Sequence, residues 1–121
     1  ITANITPSAT SSSILVLYNI QSRAQSLVDE DAGYGTKLFR DATEIFWDAG
    51  SYPIYYSAGS ATTSLDIGAK SSWSFLDTTI STTSQVTYKV QVGGTDTTQI
   101  KFQQGSGSLN PSDMILMEVL A

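Results

Sequence analysis

The side chains best suited to binding chemistry in this sequence are aromatic and concentrated between positions 46 and 56. The cluster comprises Phe46, Trp47, Tyr52, Tyr55 and Tyr56. Tyr and Trp rings combine flat apolar area with a polar tip, which suits sugar rings and protein partners. We therefore predict a receptor-binding or glycan-binding site at Trp47, Tyr52, Tyr55 and Tyr56. The alternative is that these rings pack in the core and on the sheet surface. Strand alternation leaves open which of Tyr55 and Tyr56 points inward.

Catalytic chemistry has few candidate residues in this chain. His and Cys are absent, which removes the usual proton carrier near neutral pH, the thiolate nucleophile and the commonest metal ligands. Glycoside hydrolysis needs two facing carboxylates, and Asp77, Asp96 and Asp113 are too dispersed to define a pair. A Ser-Lys pair stays open, although no serine is singled out. We predict that the protein is not an enzyme and has no catalytic residues.

The acidic and glycine-rich segments predict neither a metal nor a cofactor. Asp29, Glu30 and Asp31 form an acidic cluster, but they lack the ligand order of a calcium loop. We favour a solvated loop there over a metal site. The Gly93-Gly94 pair and the Gly105-Ser106-Gly107 segment predict hairpin turns rather than phosphate loops, because no helix follows either of them.

Composition excludes further classes of function. The 121 residues carry a net charge of −5, and the six cationic residues are scattered singly, so we expect no nucleic-acid partner. No apolar run approaches about 18 residues, so we expect no membrane insertion. The length fits one domain covering residues 1–121. Because the chain starts at Ile1 rather than Met, we expect a processed chain or, as we favour, part of a longer polypeptide.

The hydrophobic pattern indicates strands. Short apolar runs of period two are separated by clusters of Ser, Thr, Gly, Asn and Asp, which predicts eight to ten short strands. The expected fold is an all-β antiparallel β-sandwich or jelly roll. The clearest predicted strands are residues 1–6, 14–20, 36–40, 43–47, 73–76, 86–92, a return strand with Ile100 and Phe102, and 114–120. We place turns at Asp41-Ala42 and at Gly93-Gly94.

The last predicted strand has two apolar faces. Its alternate residues are Ile115, Met117 and Val119 on one face, and Met114, Leu116 and Glu118 on the other. Two apolar faces indicate either a central strand or a strand whose outer face packs on another subunit. On the second interpretation, Met114 and Leu116 form the subunit interface.

Four segments, in this order, resemble a C-terminal β-sandwich domain of tailed-phage virion proteins, especially tail fibres. The segments are Ile5-Thr6-Pro7-Ser8 with Ser12-Ser13-Ile14-Leu15-Val16, then Lys37-Leu38-Phe39-Arg40-Asp41, then Phe75-Leu76-Asp77-Thr78 with Thr87-Tyr88-Lys89-Val90-Gln91-Val92, and finally Ile115-Leu116-Met117-Glu118-Val119. The resemblance covers nearly the whole chain and departs from the pattern at residues 51–70. More distantly, the chain is similar to jelly rolls of the tumour-necrosis-factor and complement C1q type, which assemble as trimers.

The resemblance implies a bacteriophage virion structural protein, most simply a trimeric tail-fibre or tail-tip domain that contributes to host attachment. Its partners would be other copies of itself, other virion proteins and a host surface glycan or protein. Its location would be the virion. The alternatives are a capsid decoration or head-surface protein, and a carbohydrate-binding module attached to an enzyme.

Overall fold

The alternating pattern of the sequence forms nine strands within the part of the chain that the computed structural model describes, residues 1–25, 32–47, 54–56, 66–94, 99–102 and 111–120. The strands are β1 (Thr2–Ile5), β2 (Ser13–Gln25), β3 (Ala32–Arg40), β4 (Thr43–Trp47), β5 (Ile54–Tyr56), β6 (Asp66–Asp77), β7 (Val86–Gly94), β8 (Gln99–Phe102) and β9 (Asp113–Val119). Within these ranges no helix is long and apolar enough to cross a membrane.

The strands form two antiparallel sheets. The β3 sheet has the order β1-β7-β3-β4, with β5 also paired to β3. The β2 sheet has the order β6-β2-β8, with β9 paired to another stretch of β2. The prediction of an all-β antiparallel sandwich is confirmed. The strand order does not decide whether the sandwich is a jelly roll, which stays a prediction.

The core lies between the inner faces of the two sheets. On β2 every second residue from Ile14 to Ile20 is buried, as a β-branched strand with one covered face requires. The buried hydrophobic cluster consists of Ile14, Val16, Tyr18, Ile20, Leu38, Ile80, Val86, Tyr88 and Val90. Alternation therefore predicts correctly that Val86, Tyr88 and Val90 of β7 enter the core, whereas the continuous apolar run of β2 does not indicate that only one of its faces is buried.

The predicted turn at Asp41-Ala42 is confirmed and joins β3 to β4. Asp41 adopts a φ of 52°, a left-handed conformation that Asp tolerates better than most residues with a side chain. Its amide donates to the carbonyl of Thr87 at 2.7 Å, and its carboxylate accepts from the Thr87 amide at 2.9 Å. The turn is thereby fixed against the neighbouring strand β7.

A buried carboxylate joins the two sheets. Asp77, at the end of β6, is 2% exposed and accepts hydrogen bonds from Arg40 on β3, at 2.8 and 3.0 Å, and from the Tyr88 hydroxyl on β7, at 2.8 Å. Thr79 donates its amide at 3.1 Å and its hydroxyl at 2.9 Å. Burial tends to raise the pKa of Asp77, but these hydrogen bonds and the Arg40 charge outweigh it and hold the pKa below its ordinary value of 3.8.

The predicted hairpin between residues 86–92 and the strand of Ile100 and Phe102 is wrong. Gly93 and Gly94 belong to β7 and pair with Gly35 and Tyr34 of β3. The return strand β8 pairs with β2 in the other sheet. Alternation indicates which face of a strand is apolar, but it does not indicate which strand lies beside it.

We expect Asp77→Asn to lower the free energy of unfolding by about 3 kcal/mol at pH 7, because it leaves the Arg40 charge without its buried partner. A carboxylate whose pKa is lower in the folded state stabilises the fold at pH values above its unfolded-state pKa. This stabilisation is lost as the pH falls through its folded-state pKa. The difference in the free energy of unfolding between wild type and Asp77→Asn should therefore be largest at neutral pH and decrease below pH 3.8. Urea unfolding at several pH values measures it.

The matched control is Tyr88→Phe, which removes one hydrogen bond and leaves the ion pair in place. We expect it to cost about 1 kcal/mol. A difference between wild type and Asp77→Asn that stays constant from pH 7 to pH 2.5 would contradict the assigned role of the carboxylate.

Candidate functional site

A β-bulge in β4 decides which side chains reach the outer face of the β3 sheet. Leu38 pairs with Phe46, but the next residue of β3 pairs with Glu44, so Ile45 is the extra residue of β4. Ile45 and Phe46 both pack against the core. A strict alternation would place Glu44 and Trp47 on opposite faces, whereas the bulge places both outside.

Lys37 lies between these two outward side chains. Its Nζ is 2.7 Å from the Glu44 carboxylate and 4.5 Å from the centroid of the Trp47 ring. The lysine and the glutamate are both well exposed, and such a surface ion pair adds little stability. Its effect is to hold a cation against the ring of Trp47.

The neighbouring strand β7 extends this surface. Lys89 places its Nζ 5.1 Å from the centroid of the Phe39 ring, and Gln91 lies directly opposite Lys37. We name the set of Lys37, Phe39, Trp47, Lys89 and Gln91 the Trp47 platform. Gly93 lies two residues beyond Gln91 on the same face. An added methyl group at Gly93 would meet no atom within 4 Å. The surface therefore steps down beside the platform.

Two of the predicted binding residues are exposed on one face. Trp47 is 55% exposed and Tyr55 is 52% exposed. Tyr55 pairs with Gly33, and Trp47 pairs with Lys37 four residues along β3. Partners across a strand share its face, so both rings lie on the outer side of the β3 sheet, about 13 Å apart along the strand.

The other two predicted binding residues are not placed in a site. Tyr52 lies outside the described residues. Tyr56 is described by its backbone only, as the residue of β5 opposite Ala32. The prediction that the four rings form one site is therefore untested.

The opposite surface of the sandwich corrects the prediction for β9. Met114 and Leu116 are partly buried and pack against the core, so they face inward. Ile115 and Met117, at 53% and 51% exposed, lie outside together with Val119. The alternation of the strand is as predicted, but the assignment of Met114 and Leu116 to the outer face is wrong, because either face is apolar enough to pack on the core.

The outward side chains of β9 continue across the β2 sheet. Leu15 lies between Leu76 of β6 and Met117 of β9, and Leu17 lies beside Ile115. We name the outward set of Leu15, Leu17, Leu76, Ile115, Met117 and Val119 the apolar face. At the other end of the same surface the cross-strand row is polar, with Asn19 between Ser72 and Asp113. A contiguous apolar area on an outer sheet face is typical of an interaction surface.

Glu118 fixes β9 to the segment that leads into β2. Its Oε1 accepts hydrogen bonds from the Ser12 hydroxyl at 2.6 Å and from the Ser8 amide and hydroxyl at 2.6 and 2.8 Å. The hydrogen bonds from Ser12 and Ser8 lower the pKa of Glu118. Within the described residues β9 pairs with β2 alone, so this contact holds the end of an edge strand.

The acidic residues that the structure describes do not come together. Asp77 is in the core, whereas Asp113 is exposed at the start of β9 and accepts a hydrogen bond from Asn19 at 3.2 Å. Asp96 and the cluster at 29–31 lie outside the described residues. No group of three acidic side chains capable of holding a metal ion occurs in the part of the chain that the structure describes.

Comparison of the chain with protein-family models, with curated proteins and with solved structures finds no match in any of the three. The two outer faces of the sandwich differ in chemistry.

The two tryptophans of the chain should respond differently to a soluble quencher. Trp47 is exposed, whereas Trp73 is partly buried and packs on Phe46 with ring centroids 5.6 Å apart. We expect acrylamide to quench the fluorescence of Trp73→Phe, which retains Trp47, at least twice as strongly as that of Trp47→Phe. Equal quenching constants in the two variants would contradict an exposed Trp47.

Proposed function

We propose that this chain is a structural domain of a bacteriophage virion, a trimeric tail-fibre or tail-tip domain that contributes to host attachment. The order of its four sequence segments suggests the class of protein, and the sandwich supplies two outer faces of different chemistry. The apolar face suits assembly with other copies of the chain. The Trp47 platform suits contact with a host surface.

The observation that carries the proposal is the apolar face. The inner side of β2 is fully covered by the other sheet, yet Leu15 and Leu17 on its outer side are only half-buried. When a partner removes exposed apolar area of this kind from water, the association gains a favourable free energy of roughly 25 cal/mol per Å². Other copies of the chain are the simplest partner, because in a trimer the same patch of three chains can converge around the three-fold axis.

The polar row beside the apolar face limits the area that the partner covers. Asn19, Ser72 and Asp113 are linked by hydrogen bonds between their side chains, Asn19 to Asp113 at 3.2 Å and Ser72 to Asn19 at 3.5 Å. Their polar groups are therefore partly satisfied without a partner. This is the composition expected of the rim of an interface rather than its centre.

A second candidate function is a carbohydrate-binding module attached to an enzyme. The exposed rings of Trp47 and Tyr55 favour it, and such a module would be expected to act as a monomer. The capsid decoration protein is a third candidate that would share the assembly surface. Antibody labelling of virus particles in the electron microscope separates a head location from a tail location.

We expect the chain to sediment as a trimer at micromolar concentration, and Met117→Asp to raise the dissociation constant at least tenfold, about 1.4 kcal/mol. The introduced carboxylate would lose its hydration at the centre of the apolar interface without gaining a partner there, which disfavours assembly. The control is Ser72→Asp, on the same sheet face but in its polar row, which should leave assembly nearly unchanged. A wild-type monomer, or equal effects of the two variants, would refute assembly through this face.

A further inference from the structure

We propose that the Trp47 platform is a binding site for an anionic polysaccharide, such as a chain of uronic acids. The inference rests on the proposed attachment function and gives its ligand a chemical class. It depends on three properties of the platform: the exposed rings, the two lysines beside them and the open step beside Gln91.

The rings supply a flat apolar surface in reach of solvent. Trp47 is directed outward by the bulge in β4, and Phe39 lies on the same outer face two residues along β3 from Lys37, the partner of Trp47. Sugar rings present broad faces of C–H groups beside their hydroxyls, and amphipathic aromatic side chains match that combination. Core packing does not account for an indole that is 55% exposed.

The cations select for negative charge. The chain as a whole has a net charge of −5, yet the Trp47 platform includes two lysines, Lys37 and Lys89, each with its ammonium close to an aromatic ring. Lys37 is paired with Glu44 at 2.7 Å. Lys89 lies over the Phe39 ring, where its ammonium can donate to a ligand carboxylate in a charge-assisted hydrogen bond.

The open step gives a sugar chain room to continue. Gln91, which is exposed, provides an amide that both donates and accepts hydrogen bonds. Beyond it, Gly93 leaves space above the strand that any larger residue would fill. An extended polymer can therefore lie across β4, β3 and β7 with one ring on Trp47 and the next residues over Gln91 and Gly93.

The test is calorimetric titration of the 121-residue protein with polygalacturonate and, separately, with neutral dextran. We expect binding to polygalacturonate that weakens as the salt concentration rises, and no binding to dextran. Trp47→Ala should reduce the affinity at least tenfold, and Lys89→Gln should reduce it about threefold and flatten its salt dependence. Circular dichroism establishes that each variant is folded.

The matched control for Lys89 lies on the opposite sheet. Lys70→Gln removes an exposed lysine of β6 and should leave the affinity unchanged. No binding to polygalacturonate, equal binding to dextran, or unchanged affinity in Trp47→Ala would overturn the proposal. Capture of a host protein instead of polysaccharide would overturn it as well.

Sedimentation of the same samples keeps the two proposals distinct. A trimer that does not bind polygalacturonate refutes the polysaccharide site and leaves assembly through the apolar face intact. A monomer that binds polygalacturonate refutes assembly and leaves the platform as a binding site.

Discussion

The buried carboxylate of Asp77 is the interaction on which the rest of this sandwich depends. Hydrophobic contact between two sheets is non-directional, and it allows the sheets to slide or rotate. Asp77 prevents this because it belongs to β6 and accepts hydrogen bonds from Arg40 and Tyr88 of the other sheet. Arg40 is also the last residue of β3, directly before the Asp41 turn. The same contact therefore fixes the start of β4, whose bulge directs Trp47 outward.

Buried tyrosines repeat this arrangement along the core. Besides Tyr88, the hydroxyl of Tyr18 forms a hydrogen bond with Thr36 at 2.9 Å, and that of Tyr34 donates to the carbonyl of Ala69 at 3.4 Å. Each of these bonds crosses from one sheet to the other. A buried hydroxyl without a partner is costly, so these bonds favour one relative position of the sheets. Because the relative position of the sheets is fixed in this way, the positions of their outer faces are fixed as well.

The sequence predicted what depends on local pattern and missed what depends on pairing. The alternation of β7 and the turn at Asp41 were predicted correctly, because side-chain periodicity and turn propensity are local properties. The partner of β8 was wrong, because two neighbouring strands of a sandwich can belong to different sheets. Trp47 was predicted as a binding residue, but the bulge in β4 that brings Glu44 to the same outer face as Trp47 shifts the register by one residue. No periodic pattern reveals such a shift.

The apolar outer side of β2 connects the fold to the proposed function. A strand that is apolar on both faces is expected where both faces are covered, and the second sheet covers only the face of Ile14 and Val16. The outward Leu15 and Leu17 contribute little to the folding of one chain, and water-exposed leucines promote unwanted association. Polar residues at these positions would be compatible with the same inner core. The folding of the isolated domain does not require this pattern, and the assembly that we propose would supply the missing cover.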